Sequence, residues 1–280
     1  MTIETVSLHS CFDGWQGFYS HASREIGKTM KFAVFVPRQA EREKRPVLTY
    51  LAGLTCTEET FIIKAGAQRL AAELGLILVA PDTSPRGTDF PGQADSWDFG
   101  VGAGFYVDAV REPWSAHWRM QSYIAKELPA IIGAHFPADL SRQGIFGHSM
   151  GGHGALVTAF RNPAQYRSVS AFAPIAAPSQ CPWGVKAFTG YLGTDKAAWA
   201  EYDATELVKR QALPGEILID QGLDDKFLAE QLHPNLFEAA ARTSGQKLTI
   251  RRHPGYDHGY FFIQTFIDDH LRHHHRLLTA

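Results

Sequence analysis

Short, nearly continuous apolar runs of strand length recur along this 280-residue chain, and this pattern constrains its fold more than any other feature. The runs cover residues 30–36, 47–53, 76–82, 144–149, 168–174, 216–222 and 248–253. Strands that are apolar on both faces are typical of a largely parallel sheet covered by helices on both sides. Helical patterns lie between them at 64–75, 119–136 (with a kink expected at Pro129) and 227–245. This alternation predicts an α/β fold.

The part of the chain before Pro46 has a different character from the rest. It contains aromatic and turn residues but no clear helical pattern, so we expect an antiparallel β-meander there. Because α/β folds of this size commonly form one unit, residues 1–280 are interpreted as a single domain.

Composition argues against several classes of function. The chain has 27 basic and 29 acidic residues, a formal charge of -2, so no charge excess favours nucleic acid or an anionic membrane. No apolar run approaches the roughly 18 residues of a membrane span. No targeting pattern is visible, and the three widely spaced cysteines suit a reducing compartment. We therefore expect a cytoplasmic protein without a disulfide framework.

Residues 147–151 read Gly-His-Ser-Met-Gly, a GxSxG motif between the apolar run 144–149 and a helix-forming stretch. This is the strand–turn–helix context that the motif requires. Glycines on both sides let strand and helix approach closely, so that the serine is exposed at the end of the strand. The N-terminus of the helix directs backbone N–H groups to the place where an oxyanion forms. The motif predicts Ser149 as a nucleophile.

A serine nucleophile needs a base, and the base needs an orienting acid. In this fold class the acid and then the histidine follow the serine along the chain. Asp224 and Asp225 come directly after the run 216–222, and both are candidates for the acid. His258 lies in a turn before an apolar helix, where the base is expected.

Several other histidines are interpreted as structural. His148 and His153 flank the serine too closely in sequence to fold back onto it, so we expect packing or capping roles. The tract His273–His275 is typical of a solvated helix end. No HExxH motif and no paired Cys/His spacing indicates a metal site, so none is predicted.

Longer segments carry a resemblance to one family. They are LAGLTCTEETF (51–61), APDTSPRG (80–87), DSWDFGVGAGFYVDA (95–109), GHSMGGHGAL (147–156), ILIDQGLDDKFL (217–228) and GYDHGYFFI (255–263). On these motifs the chain resembles, from end to end, the S-formylglutathione hydrolase (esterase D) family of the α/β-hydrolase superfamily. A glycine follows the histidine in GYDHGY, where many members of that family have serine.

The resemblance implies a catalytic triad of Ser149, Asp225 and His258. A local argument also favours Asp225 over Asp224. The third position after Gly222 is the usual position of the acid in this turn, and Asp225 occupies it. Asp224 would then be an exposed or capping residue.

The resemblance also implies the surroundings of the nucleophile. The oxyanion donors would be the backbone N–H groups of Leu54 and Met150. Cys56 would lie near the acyl site without being catalytic, and Trp97 would line the substrate pocket.

The implied reaction is the hydrolysis of S-formylglutathione to formate and glutathione in formaldehyde detoxification, with side activity on small acyl esters. No cofactor is needed, and a homodimer is expected. Two alternatives remain open at this point. The chain could be a general carboxylesterase or acyltransferase on the same scaffold, or a binding module without catalysis.

Overall fold

One nine-stranded sheet organises the computed structural model, which describes residues 2–280. The strands are β1 (Glu4–Cys11), β2 (Gly14–Ala22), β3 (Thr29–Val36), β4 (Arg45–Leu51), β5 (Ile77–Pro81), β6 (Ala138–His148), β7 (Tyr166–Phe172), β8 (Ile217–Gly222) and β9 (Leu248–His253). Their order across the sheet is β1-β2-β3-β5-β4-β6-β7-β8-β9.

The sheet combines two kinds of pairing. Strands β1, β2 and β3 form an antiparallel meander, and β3 joins β5 in antiparallel fashion. From β5 through β4 and β6 to β9, every neighbouring pair is parallel. The predicted mostly parallel α/β fold with an antiparallel N-terminal part is therefore confirmed.

Helices cover both faces of this sheet. They are α1 (Glu58–Lys64), α2 (Gln68–Leu74), α3 (Met120–Ser122), α4 (Leu128–His135), α5 (Met150–Arg161), α6 (Pro182–Leu192), α7 (Lys196–Ala200), α8 (Ala204–Arg210), α9 (Pro234–Ser244) and α10 (Tyr260–Thr279). A π-helical turn, Tyr123–Glu127, joins α3 to α4. No helix in residues 2–280 has the length and apolar character needed to cross a bilayer.

Two of the three predicted helices are interrupted in the structure. The pattern over 64–75 is divided between α1 and α2. The pattern over 227–245 breaks at His233, which adopts a left-handed conformation with φ 48°. Pro234 then begins α9, where its missing N–H leaves no helical hydrogen bond unmade.

The core lies where the central strands meet α5 and α10. Every residue of β5 and β8 is buried, as expected for strands covered on both faces. Helix α5 is also buried along its length except at Arg161. This packing places the start of α5 at the carboxyl edge of the parallel strands, where ligands bind in open α/β sheets.

The interpretation of the histidine tract as a solvated helix end is wrong for His273 and His274. Helix α10 lies against the sheet, and both side chains are buried. The ring of His274 is hydrogen-bonded through Nε2 to Ser170 Oγ at 2.8 Å and through Nδ1 to Ser168 Oγ at 2.7 Å. These serines on β7 provide the polar partners that a buried imidazole requires.

Candidate active site

Ser149 occupies a sharp turn between β6 and α5. Its backbone has φ 58° and ψ -119°, a strained conformation for a residue with a side chain. A Cβ on Gly151 would lie 1.9 Å from the Leu51 carbonyl oxygen, and one on Gly147 would lie 2.3 Å from the Gly151 carbonyl oxygen. The two glycines of the motif are therefore required by the close approach of strand and helix.

A cavity of about 180 Å³ opens at this turn. Its walls are mostly apolar and aromatic, with a few polar groups from separate parts of the chain. The lining residues are Gly53, Leu54, Cys56, Trp97, His148, Ser149, Trp183, Phe227, His258 and Tyr260. This combination of an apolar wall with converging polar groups is typical of a small-molecule site.

His258 lies in this cavity and is held by Asp225. Its Nδ1 is 2.5 Å from Asp225 Oδ2, and the Asp225 side chain is fully buried. The Asp225 carboxylate also accepts hydrogen bonds from the Phe227 backbone N–H at 2.9 Å and from Gln221 Nε2 at 3.4 Å. These contacts fix the carboxylate and leave Nε2 as the imidazole nitrogen free to exchange a proton with a nucleophile.

Asp224 has a different environment. It is exposed, and its Oδ1 accepts a hydrogen bond from the Gly255 backbone N–H at 3.1 Å. It therefore ties the turn after β8 to the turn after β9. Of the two neighbouring aspartates, Asp225 is the one in contact with His258.

The loop after β4 carries Leu54 into the cavity wall, and two side chains from the long segment after β5 hold the ends of this loop. Tyr106 donates its hydroxyl to the Ala52 carbonyl oxygen at 2.9 Å. Thr83 donates to the Cys56 carbonyl oxygen at 2.6 Å. The segment after the neighbouring parallel strand β5 thus holds the loop that faces Ser149.

The structure places Cys56 and Trp97 in the cavity wall as well. Burial raises the pKa of the Cys56 thiol above its ordinary value, which favours the protonated form. Trp97 is 56% exposed at the mouth, and its ring meets Trp183 edge to face with centroids 5.6 Å apart.

Sequence reasoning did not assign Trp183, Tyr260 or His148 to the site. Trp183 lies at the start of α6, and no sequence motif marks it as a site residue. Tyr260 follows His258 by two residues at the start of α10. His148, expected to be a packing or capping residue, is buried but also lines the cavity. His153 does pack, with its Nε2 hydrogen-bonded to the Phe105 carbonyl oxygen at 3.0 Å.

A serine in a strained turn beside an imidazole oriented by a buried carboxylate is suited to acyl transfer through a covalent intermediate. The helix that begins at Met150 directs its N-terminus toward the same point, where negative charge would develop.

Comparison with known proteins gives a consistent family. The family model described as "Putative esterase" matches residues 23–273. The S-formylglutathione hydrolase of Rattus norvegicus is 54% identical over 100% of both chains, and that of Arabidopsis thaliana is 54% identical over 95% of both. A solved S-formylglutathione hydrolase structure from Agrobacterium tumefaciens has a TM-score of 0.96 at 52% identity, covering 98% of this chain and 99% of that one.

Proposed function

The chain belongs to the esterase family and, within it, to the S-formylglutathione hydrolases, and we propose from this membership that it hydrolyses S-formylglutathione to formate and glutathione through Ser149. The observation that carries the proposed mechanism is the contact between His258 and the buried Asp225 in the cavity that Ser149 lines.

The first half of the reaction forms a formyl-enzyme. Ser149 Oγ attacks the formyl carbon while His258 accepts the hydroxyl proton. Asp225 keeps the imidazole oriented and stabilises the positive charge that it gains. The C–S bond then breaks and glutathione leaves as its thiol, with the proton returned by His258. Because a thiol has a pKa of about 8.5, it leaves far more readily than an alkoxide.

The second half releases formate. A water molecule gives a proton to His258 and attacks the formyl carbon of the ester on Ser149. The Oγ–carbon bond breaks, the proton returns to Oγ, and formate leaves. Microscopic reversibility assigns the same base to both halves.

The backbone N–H groups of Leu54 and Met150 are proposed as the donors that stabilise the oxyanion in both halves. A single donor of this kind contributes about 2.7–4 kcal/mol to the transition state. The cavity of about 180 Å³ suits a small acyl group, and the exposed Trp97 at its mouth leaves the thiol portion of the substrate on the open side.

Membership of the S-formylglutathione hydrolases also supports the expected pathway, compartment, side substrates and oligomeric state. The activity fits formaldehyde detoxification in the cytoplasm, and small acyl esters fit as side substrates. A homodimer is proposed as well, and light scattering coupled to gel filtration gives its mass directly.

The test is the Ser149→Ala variant with S-formylglutathione, measured by release of the glutathione thiol. We expect turnover to fall to the uncatalysed background, because the variant lacks the nucleophile. A matched Ser244→Ala variant at the end of α9, where the side chain donates to the Ala241 carbonyl oxygen, should retain wild-type turnover. Near-normal turnover by Ser149→Ala would remove Ser149 from the mechanism.

A further inference from the structure

A second imidazole lies against His258. It belongs to His148, the last residue of β6, which is 5% exposed. The two ring centroids are 4.4 Å apart, and the ring planes are inclined by 46°. At this separation the rings are in van der Waals contact, so neither can turn without displacing the other.

A further aromatic ring and the carboxylate complete the enclosure of His258. The Phe227 ring meets the imidazole edge to face, with centroids 5.0 Å apart and planes at 81°. Asp225 is bonded to Nδ1. The imidazole is thus held at one nitrogen by a hydrogen bond and on its sides by two rings, one from the end of β6 and one from the segment after β8.

We propose that His148 is a positioning residue whose ring holds the His258 imidazole in the orientation needed to exchange a proton with Ser149. The proposal rests on the proposed role of His258 as the base, and adds a residue that the triad does not include.

The chemistry of His148 is that of a neutral ring rather than a second base. Its Nε2 is buried and has no hydrogen-bond partner among the described residues, so no carboxylate orients it as Asp225 orients His258. Burial, and then the neighbouring His258, hold the pKa of His148 well below its ordinary value. A neutral ring can remain beside His258 when that imidazole becomes positively charged, whereas two charged rings would repel.

The backbone gives His148 little freedom to move. It is paired in register with Phe172 of β7, and it directly precedes the strained turn at Ser149. The loop after β4 also approaches this residue closely, since a Cβ on Gly53 would lie 3.4 Å from His148 Nδ1 and 3.3 Å from Ser149 Cβ. The sheet therefore fixes the ring that in turn supports His258.

The test compares His148→Ala, His148→Asn and His148→Phe in steady-state hydrolysis of S-formylglutathione. The first two remove the ring, and a misplacement of the base by about 1 Å costs about 100-fold in rate. We expect kcat to fall about 10- to 100-fold with KM within about threefold, because the ring acts on the transition state rather than on binding. His148→Phe retains a ring of similar size but removes both ring nitrogens, the unpaired Nε2 and the hydrogen bond to the His258 backbone. Because the proposal assigns the effect to the ring itself, we expect kcat within about threefold of wild type.

The matched control is His153→Ala, which removes a fully buried histidine from the same helix–turn region without opening the cavity. It should lower the melting temperature and leave kcat within about threefold of wild type.

Two results would overturn the proposal. One is a wild-type kcat in a folded His148→Ala or His148→Asn variant. The other is a His148→Phe variant as impaired as His148→Asn, which remains decisive if the alanine variant does not fold. Failure of the proposed function is distinct, since it would appear as absent turnover in the wild-type protein or as wild-type turnover in His258→Ala.

Discussion

Replacing Asp225 by asparagine tests the assignment of the acid most closely. The change keeps the shape of the side chain and an oxygen that can still accept the Phe227 N–H, so the turn after β8 should fold normally. It places an amide N–H opposite His258 Nδ1, where the carboxylate now accepts at 2.5 Å. The ring must then carry its proton on Nε2, and it cannot accept the proton of Ser149.

The expected cost follows from this tautomer. The equivalent Asp→Asn change in a serine protease lowers kcat about 10⁴-fold with the geometry intact. At about 1.36 kcal/mol for each factor of ten, this corresponds to a loss of about 5.4 kcal/mol of transition-state stabilisation. The assay is the initial rate of thiol release from saturating S-formylglutathione at neutral pH, with circular dichroism to verify folding.

Asp224→Asn is the matched control. Its Oδ1 can continue to accept the Gly255 N–H, and its side chain has no contact with His258, so we expect kcat within about threefold of wild type. If Asp224→Asn were the severely impaired variant and Asp225→Asn turned over normally, the acid would have to be moved by one residue, and the reasoning from the buried hydrogen bond would be refuted.

Three further predictions concern stability, each measured as the free energy of unfolding in urea. Gly151→Ala should lower it by about 3 kcal/mol or more, because the new Cβ would lie 1.9 Å from the backbone oxygen of Leu51; unchanged stability would contradict this. Tyr106→Phe should cost about 1–3 kcal/mol, since it leaves the buried Ala52 carbonyl oxygen without its donor, and a smaller loss would mean that another donor replaces it. Burial lowers the pKa of His153 to about 4, so the folded protein stays unprotonated there while the unfolded chain takes up a proton below about pH 6.5. The free energy of unfolding should therefore fall by about 1 kcal/mol from His153 alone between pH 6.5 and 5.5. A free energy of unfolding that stays constant over this range would argue against the lowered pKa of His153.

The strands could be predicted from the sequence because burial on both faces leaves an uninterrupted apolar run. β8, which is buried throughout, begins and ends within one residue of its predicted run. The partly exposed edge strand β9 also matches its predicted run. The helices were harder, because helical periodicity alone does not reveal a local break. The positive φ of His233 is a break of this kind, and the apolar pattern does not encode it.

The contrast between features that the local sequence encodes and features that it does not encode applies to the site as well. The GxSxG pattern and the order of acid and base are local signals, and they led to Ser149, Asp225 and His258, which the structure brings to one place. His148 was missed because sequence proximity to the serine says nothing about which way its ring points. The buried His274 was misjudged because its partners, Ser168 and Ser170, are more than a hundred residues away in the chain.

The most direct measurement of the central claim compares kcat/KM for S-formylglutathione with that for S-acetylglutathione, each divided by its uncatalysed rate of hydrolysis. The leaving group is the same, so the ratio reports only the acyl pocket. A pocket that discriminates between substrates by one carbon changes kcat/KM by about 10- to 200-fold, and we predict a preference of this size for the formyl substrate. In Ser149→Ala, turnover of both thioesters should be abolished. Equal values for the two thioesters, or a preference for the acetyl substrate, would contradict the account.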